Sequence, residues 1–134
     1  MYTKKEQYYS LLLPLYFFMQ LSRTAYARYS LNKIYLYAET IRLASRKVYK
    51  HLARNAAYMP DELQGDILLL LDHYNCWFTQ FRDHKKKIKP SLGDVFVFQR
   101  LDDQPAFPKD AEERIFKYYE MMKQELASEA LVEQ

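Results

Sequence analysis

Glycine is nearly absent, with only Gly65 and Gly93 in 134 residues. Phosphate-cradling loops and dinucleotide fingerprints need several residues without a Cβ within a few positions, so both nucleotide-binding classes are excluded. A single cysteine, Cys76, rules out an intramolecular disulfide and any zinc site built on paired cysteines. That usage suits a reducing compartment, which makes the cytoplasm the expected location. Long apolar runs are missing too. The dense stretch from Leu11 to Met19 has nine residues, well short of the ~20 that span a bilayer, and no membrane partner is expected. Lys4, Lys5, this stretch and Ala25-Tyr26-Ala27 imitate a secretory leader. Glu6 in its charged start and Arg23 just before the small residues argue against one.

Aromatics are what the chain has in excess. Thirteen Tyr and eight Phe are expected to fill the core, with Tyr hydroxyls reaching its edge. From Asp66 to Lys89, the residues Ile67, Leu70, Leu71, Tyr74, Trp77, Phe78, Phe81 and Ile88 recur at helical spacing. Asp72, Asn75, Thr79, Arg82 and Asp83 fall between them. So wide an apolar stripe must be covered by other helices. Leu31, Ile34, Ala38, Ile41, Ser45, Val48, Leu52 and Ala56 form a second stripe and predict a second helix. Thr3 and Glu6 make a capping-box pattern that opens a first helix, and Pro14 should kink or interrupt it. Asp110 and Glu113 repeat the pattern before a last helix with Ile115, Tyr119, Met122 and Leu126 on its stripe.

Ser30 to Asn32, Met59-Pro60 and Pro90 supply the breaks. Gly65 either weakens the first turn of the third helix or sets off a short leading turn. The expected fold is all-α, one domain over 1–134, a four-helix bundle with helices at 3–29, 31–58, 61–89 and 110–128. The first three run up-and-down, and a long ordered crossover loop at 91–109 precedes the last. Val95 to Phe98 is β-prone but has no partner strand, so its Phe side chains are expected to pack on the bundle. The tail at 128–134 should fray.

Net charge is only +3, but it is unevenly spread. From Gln7 to Pro60 eight basic residues face Glu39 alone, whereas from Arg100 onward nine acids outnumber five bases. On one reading the two halves neutralise each other within the fold or across a dimer. On the other, the basic half is an anion-binding surface. Arg42, Arg46, Lys50 and Arg54 recur on successive turns of one face, with Lys47 beside them. Lys85, Lys86 and Lys87 extend the patch if the fold brings the two helices together. Tyr26, Tyr29, Tyr35, Tyr37 and Tyr49 are interleaved and offer rings to unpaired bases. The short glycine-containing turn of a helix-turn-helix is missing, so sequence-specific duplex reading is not expected. The expected function is a non-catalytic binding or adaptor module whose basic helix meets a nucleic acid or an acidic protein surface. Spare apolar surface on the first helix allows a homodimer. A structural subunit of a larger assembly is the more general alternative.

Catalytic and metal chemistry find little footing. His73 and Cys76 are one helical turn apart with Asp72 beside them, but His84 lies ~16 Å further along the same face. No metal or cofactor is expected. The carboxylate pairs Asp61/Glu62, Asp102/Asp103 and Glu112/Glu113 fall at helix starts or in the loop, where capping and solvation are their roles. One short pattern carries an enzyme alternative. Arg46-Lys47-Val48-Tyr49-Lys50-His51 resembles the Arg-x4-His motif of the HEPN ribonucleases, small helical domains that often dimerise. The resemblance implies metal-independent RNA cleavage in a cleft between subunits, with Arg46 stabilising the phosphate and His51 in proton transfer. Lys47 departs from the Asn, Asp or His usual after the Arg.

Overall fold

The computed structural model describes residues 1–98 and 106–133. The part of the expected crossover loop at 99–105, with Asp102 and Asp103, lies outside the described residues. Among the described residues there are four helices and no strand, so the chain is all-α.

Helix α1 opens on the expected capping box. The Thr3 hydroxyl accepts from the Glu6 amide (3.1 Å), and the Glu6 carboxylate accepts from the Thr3 amide (3.2 Å). The helix comprises an α segment Lys4–Glu6, a π-helical segment Gln7–Leu12 and a long α segment Leu13–Leu31. At the end of the wide segment the Leu13 amide donates to the Tyr8 carbonyl, five residues back. Pro14 follows directly. It has no amide to donate and a ring that crowds the preceding turn, and widening that turn accommodates it without ending the helix.

Helix α2, Tyr35–Asn55, continues into a single 3₁₀ turn, Ala56–Tyr58. Helix α3, Asp61–Ile88, passes through Gly65 without interruption. It stops at Lys89, whose left-handed backbone (φ 50°) turns the chain while its amide still donates to the Lys85 carbonyl (2.8 Å). Helix α4, Lys109–Glu133, is longer than expected at both ends. Asp110 lies inside its first turn with Glu112 rather than capping it, which still suits the positive end of the helix dipole. The helix runs on through the stretch expected to fray, as far as Glu133. Lys4 reaches both Glu125 (3.1 Å) and Glu129 (2.8 Å), so the last turns are tied to the start of α1. No helix among the described residues is long and apolar enough to cross a membrane.

Each helix packs on its neighbours in the chain, and α4 returns to α1. Two apolar clusters result. The larger one draws on all four helices, including Leu11, Leu12 and Leu15 of α1, Val48 and Leu52 of α2, Ile67 and Leu70 of α3, and Ile115 of α4. Within it Tyr8, Tyr119 and Tyr16 stack in a ladder, with ring centroids 5.7 and 4.6 Å apart. The ladder's edge is polar: burial and the neighbouring Tyr8 hydroxyl push Tyr119 up to about 12. Beside this cluster the Asp66 carboxylate, itself buried, is held by two bonds from Arg114 (2.9 and 2.8 Å), which fastens α3 to α4.

The second cluster contains no residue of α4. Ala25 and Tyr29 of α1, Tyr35, Ala38, Ile41 and Ala44 of α2, and Phe81 of α3 are joined by Phe96, which is fully buried. The segment after α3 thus supplies what a fourth helix would have. Main-chain bonds hold it: the Phe96 amide donates to the Lys33 carbonyl (2.9 Å), and the Tyr35 amide to the Asp94 carbonyl (2.8 Å). The Tyr29 hydroxyl donates to the Phe96 carbonyl (2.6 Å) and accepts from the Phe98 amide (3.4 Å). The only pairing of β type among the described residues is one isolated bridge between Ile34 and Val95. Two residues expected to face inward do not. Leu31 is the last residue of α1 rather than the first of α2, and Ile88 lies in the final turn of α3; both are exposed.

Phe96→Ala is expected to cost about 3–5 kcal/mol, as removal of a fully buried ring does. Tyr29→Phe should cost about 1 kcal/mol through its lost hydroxyl bonds. Urea denaturation of both variants checks this. A Phe96→Ala protein as stable as the parent would show that the segment is not part of the core.

Candidate anion-binding site

Helices α2 and α3 meet sparingly, and between them the Tyr49 and Phe78 rings touch edge-on, with centroids 5.9 Å apart. Above these rings lies an open groove of about 570 Å³. Arg42, Arg46 and Lys50 come to it from one wall because residues four apart on α2 share a face. Arg82 and Lys85, one turn apart on α3, come from the other, with Asn75 and Thr79 further along. Five of the ten lining residues are cations and none is an acid, so the potential in the groove is positive.

The acid nearest this wall is Glu39, one turn before Arg42. It accepts bonds from the Arg42 guanidinium (Nε to Oε1, 2.9 Å, with Nη2 on the same oxygen) and from the Tyr35 hydroxyl (3.0 Å). Partial burial pushes the Glu39 carboxyl up, but the bonds from Arg42 and Tyr35 and the nearby charges outweigh it and hold the group below its ordinary value. Lys85 completes this end of the groove. Its ammonium lies 5.6 Å from the Tyr35 ring centre, and the Tyr35 hydroxyl holds it above the ordinary lysine value.

The fold therefore brings together four of the expected anion-binding residues, Arg42, Arg46, Lys50 and Lys85. It sets the other four apart: Lys47, Arg54, Lys86 and Lys87 are exposed but do not line the groove. Arg82 and Phe78 were not among the expected groove residues. Their helical spacing is visible in the sequence, but their position opposite α2 is not. Of the five Tyr expected to offer rings, Tyr49 alone lines the groove. Tyr29 and Tyr35 are buried in the second cluster and cannot stack on a base; Tyr37 is half-buried, and Tyr26 is exposed on α1.

Arg46 and His51 do not converge within the chain. Five residues apart on a helix, they point about 140° from each other. Arg46 lines the groove, whereas the His51 ring packs on Phe18 of α1, with Nε2 2.9 Å from the Leu11 carbonyl. Because a carbonyl only accepts, Nε2 carries the hydrogen, and Nδ1 is left to accept from the Asn55 amide (3.3 Å). Both ring nitrogens of His51 are thereby engaged, Nε2 in holding α2 to α1 and Nδ1 within α2. Among the described residues no three His, Cys, Asp or Glu side chains converge as metal ligands. His73 packs against Phe107, with ring centroids 5.1 Å apart.

The acidic last helix spends its charge elsewhere. Its ion pairs among the described residues join Glu125 and Glu129 to Lys4, Glu112 to Arg23, and Arg114 to Asp66. None reaches α2. Among the described residues the two oppositely charged regions meet at Arg23 and Glu112 but form no ion pair across the groove.

Glu39 supplies a pH test. A carboxyl held below its ordinary value contributes stability above pH 4.5, and that contribution is lost as pH falls through the folded-state value. Glu39→Gln should flatten the acid limb of the stability curve below pH 4.5. Urea denaturation at a series of pH values measures it, and parallel limbs for variant and parent would refute the pairing. Set against protein-family models, curated proteins and solved structures, the chain matches none.

Proposed function

We propose that the protein is a non-catalytic helical binding module that presents the groove between α2 and α3 to an anionic partner. One observation supports this reading above the others: five cations from two helices face a common space, and no acid lines it. Such an arrangement raises the energy of the free protein through like-charge repulsion, and a bound polyanion relieves it. RNA cleavage by Arg46 and His51 has no comparable support, since the two side chains engage different neighbours.

In this reading α1, α2 and α3 form an up-and-down bundle and the chain crosses over between α3 and α4. Its cysteine usage suits the cytoplasm. A homodimer through the outer face of α1 belongs to the same reading, because Phe17 and Leu21 lie bare there, one turn apart. Sedimentation should show association that Phe17→Glu abolishes; a parent that is monomeric at high concentration would remove the dimer.

Binding is measured by fluorescence anisotropy, with a labelled single-stranded RNA and a duplex DNA over a salt series. If roughly three to five phosphates are neutralised, log affinity should fall with log salt with a slope of about −2 to −4. Arg46→Ala and Lys50→Ala should each reduce that slope by about one. Absence of binding to both probes and to poly-glutamate at low salt would sink the proposal.

A further inference from the structure

The groove is more than a charged surface. Its cations occupy the walls and its floor is aromatic, and an anion of simple shape would use only the first. Arg42, Arg46 and Lys50 are spaced four residues apart, about 6 Å along the helix axis. That is comparable to the separation of successive phosphates along one strand of nucleic acid. Arg82 and Lys85 repeat the charge on the facing wall. Between the walls Tyr49 and Phe78 stand nearly perpendicular, with ring centroids 5.9 Å apart, and both are only half-buried. Phe78 is fixed from behind by Tyr74 (6.2 Å) and Trp77 (5.4 Å), so the floor is in place before anything binds. At one end Asn75 offers an amide that both donates and accepts, as the edge of a base requires.

Three polyanions can be compared with this geometry. The carboxylates of an acidic protein surface satisfy the cations but make no use of the aromatic floor. A duplex keeps its bases stacked on one another, so their faces are not offered to protein rings. A single strand offers phosphates and free base faces together, and this pairing of cationic walls with aromatic platforms is how unpaired nucleic acid is bound. A space of about 570 Å³ falls within the ~300–1,000 Å³ range of small-ligand sites, enough for a nucleotide and its flanking phosphates. Resting on the anion-binding reading above, we infer that the groove between α2 and α3 takes single-stranded nucleic acid, with a base against Tyr49 and Phe78 and phosphates along Arg42, Arg46 and Lys50.

The test compares four probes on the unmodified full chain at low salt. They are a labelled oligothymidylate, the same-length strand with its bases removed, a duplex of that length, and poly-glutamate. The base-bearing strand should bind at least about tenfold more tightly than each of the others, as stacking of even one or two bases implies. Tyr49→Leu removes the ring but leaves an apolar side chain; it should weaken oligothymidylate roughly 5- to 100-fold and so bring its affinity down towards that of the abasic strand. Because the abasic comparison uses the unmodified protein, it decides the matter even if the variant folds poorly. Equal affinity for the base-bearing and abasic strands would overturn this inference and leave anion binding standing. Poly-glutamate bound as tightly as oligothymidylate would overturn it in favour of an acidic protein partner. Failure of every probe to bind would overturn both readings.

Discussion

The bond between the Tyr29 hydroxyl and the Phe96 carbonyl, 2.6 Å long and buried, joins the parts of the molecule that the helices alone would leave open. Helix α4 covers one cluster only. At the other end α1, α2 and α3 would expose Tyr35, Ala38, Ile41 and Phe81 if nothing replaced a fourth helix. The segment Leu92 to Phe98 does so, because Phe96 enters the cluster and main-chain bonds stitch its backbone to the turn at Lys33–Leu36. A backbone segment without regular structure is tolerated in such a position only when its polar groups find partners. Tyr29 serves this need twice, as donor to Phe96 and as acceptor from Phe98.

The groove depends on that closure. Phe81 and Tyr35 belong to the second cluster, and their rings, 6.5 Å apart and each near Phe96, fix how α2 and α3 approach at this end. Tyr35 then holds Glu39 through its hydroxyl, with the Lys85 ammonium 5.6 Å from its ring centre. Further along, the Tyr49 and Phe78 rings meet between the helices, their centroids 5.9 Å apart. Aromatic residues thus serve both as core and as lining of the groove.

Charge follows a similar division. Pairing α4 with Lys4 and Arg23 of α1, and Arg114 with Asp66 of α3, closes the ring of helices with the acids of the last quarter of the chain. The exposed pairs at Lys4 contribute little each, whereas the buried Asp66 carboxylate depends on Arg114 for its partner. Helix α2 is left with Glu39 as its single acid. Its carboxylate neutralises Arg42 in part, while Arg46, Lys50 and Arg82 keep their charge for whatever enters the groove.

Much of this architecture was legible in the sequence. Helix existence followed from periodic apolar residues: the stripe from Ile67 to Phe81 reports its own buried face, because residues three and four apart share one side of a helix whatever surrounds it. Caps and breaks are equally local, so Thr3, Asn32, Pro60 and Pro90 mark helix ends within a residue or two, although the second helix starts at Tyr35, four residues later than its stripe suggested. The row of Arg42, Arg46 and Lys50 is local too. Properties set by contacts between distant residues were not legible. The tie of α4 to Lys4 and the burial of Phe96 both depend on partners remote in the chain. Arg82 was visible as a polar residue on α3, but only the packing of α3 against α2 decides that it faces Arg46's wall. Likewise Tyr29, Tyr35 and Tyr49 are indistinguishable by type and spacing, and the tertiary structure alone makes two of them core and one a floor. A single sequence encodes the face each residue takes on its own helix; which face meets which is decided by the energy of packing the helices together.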